Sequence, residues 1–251
     1  MAEVFGHETL TVYQKGKSFL AIRKQILDKI SRRVAACEHL DRGAESILLN
    51  VAHASSSWSP KERVVYLGHA NGSALECAAC LDIFVAKKFL TGRDIYQAKS
   101  QLAEIVSMLI AMKDPASNRI REDHSDYEAV REKSFFSHAS LDVYQTALQF
   151  TGWIESMRKV FSCTSDVQSK LDKSSTAVVL NIAEGNGRFS GTDQARFLAI
   201  AKKSTVQSAS LIDLATADIS STFVHPLEGR ELLQRIATML TALSKRVTQD
   251  T

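Results

Sequence analysis

The stretch Val178-Val179-Leu180-Asn181-Ile182-Ala183-Glu184-Gly185-Asn186-Gly187-Arg188-Phe189-Ser190 decides the fold. An apolar run stops at a glycine break, and Ser190 caps the helix that follows. The same junction occurs earlier as Ile47-Leu48-Leu49-Asn50-Val51-Ala52-His53-Ala54-Ser55-Ser56-Ser57-Trp58-Ser59. Asn50 and Asn181 hold the same place in the two versions, 131 residues apart.

That offset persists in both directions. Leu10-Thr11-Val12-Tyr13-Gln14 matches Leu141-Asp142-Val143-Tyr144-Gln145, and Leu40-Asp41 matches Leu171-Asp172. Leu102 with Leu233, Ile105 with Ile236, Met108 with Met239 and Leu109 with Leu240 carry it to the last helix. An unchanged offset over about 100 residues is a duplication. The period is too long for a short solenoid repeat, and each copy is large enough to be a domain.

Within a copy the pattern is helical. Val12, Phe19, Ile22, Ile26 and Ile30 recur at three- and four-residue steps, predicting a first helix over 9–36. Further helices are expected at 38–54, 59–88 and 93–113, then at 140–161, 166–185, 191–220 and 226–247. Ser59-Pro60-Lys61-Glu62 is a strong helix start: Ser59 accepts a first-turn N–H, Pro60 needs no donor, and Glu62 reaches back. Ser190-Gly191-Thr192-Asp193 is its weaker counterpart. Only 3 prolines and 11 glycines interrupt a chain that is 45% hydrophobic, which favours long helices over a turn-rich β fold. The expected fold is all-α: two tandem antiparallel up-down four-helix bundles, over residues 1–114 and 139–251, joined by a polar linker at 115–138 with a short solvated helix near 124–133. Small residues such as Ala70, Gly72, Ser73 and Ala74, and Ala199, Ala201 and Ser204, mark central packing or seams between the units.

Composition bounds the function. A net charge of +3 and a pI near 8.6 are mildly basic. Met1 to Gly6 lacks an apolar signal region, and no run of 18 apolar residues predicts a membrane span. Four cysteines, Cys37, Cys77, Cys80 and Cys163, do not make a disulfide framework, so a reduced, cytoplasmic setting fits. Cys77 and Cys80 lie mid-helix without a second pair and read as core rather than metal ligands. No cofactor is expected. Glu184 to Arg188 follows a helix rather than a strand and lacks the lysine of a P-loop; it reads as a C-cap, with Gly185 or Gly187 left-handed and Arg188 paired to Glu184. Asn50 and Asn181 are expected to bond backbone at the helix junction. Arg63 and His69 match the loose Arg-x₅-His spacing of HEPN-type ribonucleases, but the second unit has Gln194 and Ile200 there.

The motifs Leu141 to Gln145, Asn181 to Arg188 and Arg196-Phe197-Leu198-Ala199-Ile200-Ala201 resemble the four-helix-bundle proteins of the 23S rRNA intervening-sequence family. That family includes the accessory variability protein of diversity-generating retroelements. The first unit departs from it: His53, Ala54, Ser56 and Ser57 replace Glu184, Gly185, Gly187 and Arg188, while it keeps a family-like Gly72-Ser73-Ala74-Leu75-Glu76-Cys77. The resemblance implies a non-enzymatic homo-oligomer, ring-shaped in members with one unit, that engages RNA or a reverse transcriptase. The candidate nucleic-acid contacts are Lys24, Arg32 and Arg33 in the first unit, and Arg188, Lys202 and Lys203 in the second. A purely structural protein–protein module of a mobile-element or defence system is the alternative reading.

Overall fold

The computed structural model describes residues 5–113, 136–161, 163–217 and 227–249. Among the described residues eight α-helices run in chain order: α1 Thr11–Leu27, α2 Ala35–Ser56, α3 Pro60–Ala86, α4 Gly92–Lys113, α5 Asp142–Met157, α6 Ser165–Asn186, α7 Gly191–Thr216 and α8 Leu227–Gln249. No strand occurs among the described residues. In the first bundle each helix packs on the next and α1 closes the square on α4; α5 to α8 repeat the arrangement. The expected linker helix near 124–133 lies outside the described residues.

The first helix is shorter than the periodicity suggests. It stops at Leu27, and Arg32 and Arg33 belong to a connecting turn rather than a helical face. The apolar spacing misleads because Ile30 and Val34 stay in the core after the chain has left the helix. Phe161 does the same after α5, which ends at Met157 rather than at 161. These turn residues roof the end of each bundle while the backbone reverses to let the second helix return.

The expected serine cap forms at the start of α3 and not at the start of α7. Ser59 Oγ accepts from Glu62 N at 3.5 Å, with Pro60 in the first turn, whereas Ser190 makes no side-chain cap bond. At the end of α3 the left-handed position is filled by an exposed lysine, Lys88, with φ 60°. Phe89 N closes that turn on Phe84 O at 2.9 Å, a Schellman-type ending.

The equivalent helices α3 and α7 are not equivalently buried. In α3, Leu67, Ala70, Ala74, Cys77, Leu81 and Phe84 face their own bundle. Gly68, Asn71, Gly72 and Leu75 are buried too, because α5 and α6 cover that other side. A helix apolar all round is an interior helix. On α7 the corresponding side stays exposed, with Val206 60% and Leu214 59% accessible. The small-residue stripe of α3 is thus an inter-unit seam, and that of α7 is not.

Candidate functional site: the seam between the bundles

The seam is built by the Asn181–Ser190 stretch lying along α3. Asn71 Nδ2 donates to Gly187 O at 2.8 Å, and a Cβ on Gly187 would sit 2.5 Å from Leu75 Cδ1. Gly187 has φ −85°, and no glycine among the described residues has positive φ. The expected left-handed cap is therefore corrected: Gly187 is there for close approach, not for backbone freedom. The expected pairing holds, since Arg188 donates to Glu184 Oε1. Its guanidinium also lies 4.6 Å from the Phe197 ring centre and packs over Gly72, and its Nε is buried without a partner. Asn50 and Asn181 bond backbone as expected, each one turn back: Asn50 Nδ2 donates to Ser46 O at 2.8 Å and Asn181 Nδ2 to Ala177 O at 2.7 Å.

Beside this contact opens a polar cleft of about 380 Å³, between α2 and α3 of one bundle and the end of α6 of the other. His39 Nδ1 lies 2.8 Å from Glu76 Oε1, Ser46 and Ser73 share a hydrogen bond of 2.8 Å, and Glu184 with Arg188 forms the far wall. Burial, and then the Glu76 carboxylate, push the Glu184 carboxyl up. His69 lines the cleft, and burial together with Arg188 lowers its imidazole. Arg63 is exposed in the first turn of α3. Six residues turn a helix through about 240° from His69 to Arg63, at 100° per residue, so the two side chains leave α3 in different directions.

The far end of the seam is charged, with one ion pair buried and a second partly open to solvent. Lys87, with no exposed side-chain area, pairs with the 4% exposed Asp172, whose other oxygen accepts Ala35 N at 2.8 Å. Tyr144 Oη donates to Asp82 Oδ2 at 2.9 Å, and Lys99 Nζ meets the same carboxylate at 2.8 Å while lying 4.5 Å from the Phe136 ring centre. Sequence reasoning missed Asn71, Asp82, Lys87 and Asp172. Beside the small-residue stripe of α3, a further sequence signal for the seam is asymmetry between copies: glycine stands at 72, 152 and 187 where Lys203, Ala21 and Ser56 stand 131 residues away.

His138 is enclosed between Phe136 and Tyr144, with neither ring nitrogen hydrogen-bonded. Burial, helped by Lys99, holds its pKa down to about 3 against an ordinary 6.5. A base with a depressed folded-state pKa contributes stability above its unfolded pKa and loses it as pH falls. Between pH 7 and 5 the wild type is expected to lose about 2 kcal/mol through this group. Denaturant unfolding at both pH values checks it: His138→Phe should show a pH dependence smaller by that amount.

The other proposed contacts are spread over the surface. Lys24 and Arg32 are exposed but paired, Lys24 with Asp28 at 2.7 Å and Arg32 with Asp41 at 2.6 Å, where Arg23 also sits. Arg33 is exposed on the same α1–α2 turn, and Lys202 and Lys203 are exposed on α7. Arg188 is set apart in the seam, its side chain 9% exposed. Cys77 and Cys80 are fully buried, and burial raises both thiols. Among the described residues no group of three or more His, Cys, Asp or Glu could hold a metal ion, and no helix is long and apolar enough to cross a membrane.

A tandem pair of helical bundles with a tight seam defines a helical repeat protein. The chain belongs to the family of 23S rRNA-intervening sequence proteins: the family model matches residues 8–111 and matches again over 139–243. The two matches are the two bundles, in duplicate. No curated protein and no solved structure matches the chain.

Proposed function

We propose that the protein is a non-enzymatic oligomeric scaffold that engages RNA, or a nucleic-acid-handling partner such as a reverse transcriptase, through exposed basic side chains. The supporting observation is the state of the cations. Arg33, Lys202 and Lys203 are exposed and join no ion pair among the described residues, so an anion meets them without displacing a carboxylate. Lys24 and Arg32 reach solvent next to aspartates that an incoming phosphate has to outcompete.

Contacts of this kind are read by salt. Each phosphate contact contributes roughly 0.7–0.9 to the slope of log K against log salt. Binding to a structured RNA is measured for the wild type, for Lys202→Glu with Lys203→Glu, and for Arg32→Glu with Arg33→Glu. Each double variant should flatten the slope by about 1–2 and weaken binding, with helicity unchanged. A pair that leaves both values alone does not contact RNA. Absence of wild-type binding at low salt favours the protein–protein reading, which the exposed Trp58, Val206 and Leu214 also support.

A further inference from the structure

The polar cleft beside the seam is built once in the chain, although the bundle under it is built twice. Its lining follows helical spacing: Arg42, Ser46 and Asn50 share one face of α2, and His69, Ser73 and Glu76 share the facing side of α3. The second bundle repeats these two helices with Ala177 for Ser46, Ile200 for His69 and Gln207 for Glu76. Glu184 and Arg188 of the far wall are His53 and Ser57 in the other copy. A bundle of this design therefore folds without the polar set, so its packing does not require these side chains.

Each charged group in the cleft has one part engaged and one part free. Glu76 Oε1 lies 2.8 Å from His39 Nδ1, and Glu184 Oε1 accepts from Arg188 Nη2. The second oxygen of each carboxylate, and Nη1 of Arg188, make no hydrogen bond among the described residues. Arg42 is exposed, with long contacts of 3.3 Å to His39 Nδ1 and 3.9 Å to Glu38. Two free carboxylate oxygens and two guanidinium groups thus line one space, and their formal charges cancel.

This combination narrows what fits. A phosphate gains the guanidinium groups but also meets both carboxylates. A metal ion lacks ligands, since no group of three or more His, Cys, Asp or Glu among the described residues could hold one. A nucleobase lacks a platform, because the only ring among the lining residues is the imidazole of His69. A small molecule carrying both an ammonium and a carboxylate meets both signs. Its N–H groups reach the free carboxylate oxygens, and its carboxylate takes guanidinium donors. The ammonium also offsets the repulsion by which Glu76 helps push the Glu184 carboxyl up. Ser46 and Ser73, 2.8 Å apart, offer hydroxyl donors and acceptors to a polar side chain.

We propose that the cleft binds a zwitterion of the α-amino-acid class, one per chain, with Glu76 and Glu184 at its ammonium and Arg42 and Arg188 at its carboxylate. This goes beyond the scaffold reading and does not depend on it. The lining comes from both bundles, so the bound molecule spans the seam and binding holds the two bundles together.

The test titrates the full chain by calorimetry with the common α-amino acids, one at a time, and with inorganic phosphate and adenosine monophosphate. At least one amino acid should bind at one site per chain and raise the unfolding midpoint. Its N-acetyl derivative lacks the ammonium and its amide lacks the carboxylate, and each should bind about tenfold more weakly or worse. Glu76→Gln and Arg42→Gln should each weaken binding by a similar factor with helicity unchanged. Arg42 is exposed, so that variant keeps the test decisive if Glu76→Gln does not fold. The proposal is overturned if no amino acid binds, if phosphate or the nucleotide binds as tightly as the best amino acid, if either derivative binds as tightly as its parent, or if the folded variants bind like the wild type. None of these readouts uses structured RNA or assembled mass, so failure here is separate from failure of the scaffold reading.

Discussion

Replacing Asp172 with alanine lowers the stability of the folded chain by about 3–5 kcal/mol, the expected loss when one partner of a buried ion pair is removed. The Lys87 ammonium has no exposed surface, so without Asp172 it remains an uncompensated charge inside the seam. Ala35 N–H, at the start of α2, loses its acceptor in the same step. Lys87→Met should also be costly, because it leaves the carboxylate buried with only that N–H. The double variant Lys87→Met with Asp172→Leu should recover all but about 1–2 kcal/mol, the cost of the unmet Ala35 donor. Denaturant unfolding of the four proteins checks this. Single variants within 1 kcal/mol of the wild type would mean that water reaches the pair.

Gly152→Ala is the second large effect, expected to cost about 1–3 kcal/mol. In an isolated helix the same change gains up to about 1 kcal/mol, because alanine is the better helix former. Packing reverses the sign. A Cβ on Gly152 would lie 2.7 Å from Ala86 O and 3.4 Å from Ala86 C, and these backbone atoms at the end of α3 have no rotamer to give way with. α5 must move off α3, and that motion opens the Tyr144–Asp82 contact beside it. Gly92→Ala is the control: nothing lies within 4 Å of its added Cβ, so no loss is expected. Comparable unfolding midpoints for the two variants would remove close packing as the reason for Gly152.

The helices were legible because each burial stripe repeats locally and because two copies agree. The ends of α1 and α5 were not, since Ile30, Val34 and Phe161 are core residues on non-helical backbone, and hydrophobic period alone does not separate the two cases. The Arg188–Glu184 pair was legible from its one-turn spacing. The reason for Gly187 was not, because Leu75 lies 112 positions earlier in the chain and only the fold brings it near. Nothing in the sequence around Lys87 or Asp172 sets either residue apart. Their meeting is a property of how whole bundles dock, which local pattern does not encode.

Fusion changes the arithmetic of assembly. A chain that holds two bundles adds them in pairs, so any closed assembly of it contains an even number of bundles. It also breaks a symmetry constraint. Where identical single bundles associate, a substitution appears at every joint at once, and a serine at the position of Gly187 has to be accommodated everywhere. In the fused chain the joint around Gly187 and Leu75 and the surfaces around Ser56 and Val206 are encoded separately. The tethered joint forms at the high effective concentration of an intramolecular contact whatever the cellular level of the protein. It was thus free to become tight at Gly187 and Gly152 without the outer surfaces having to match it.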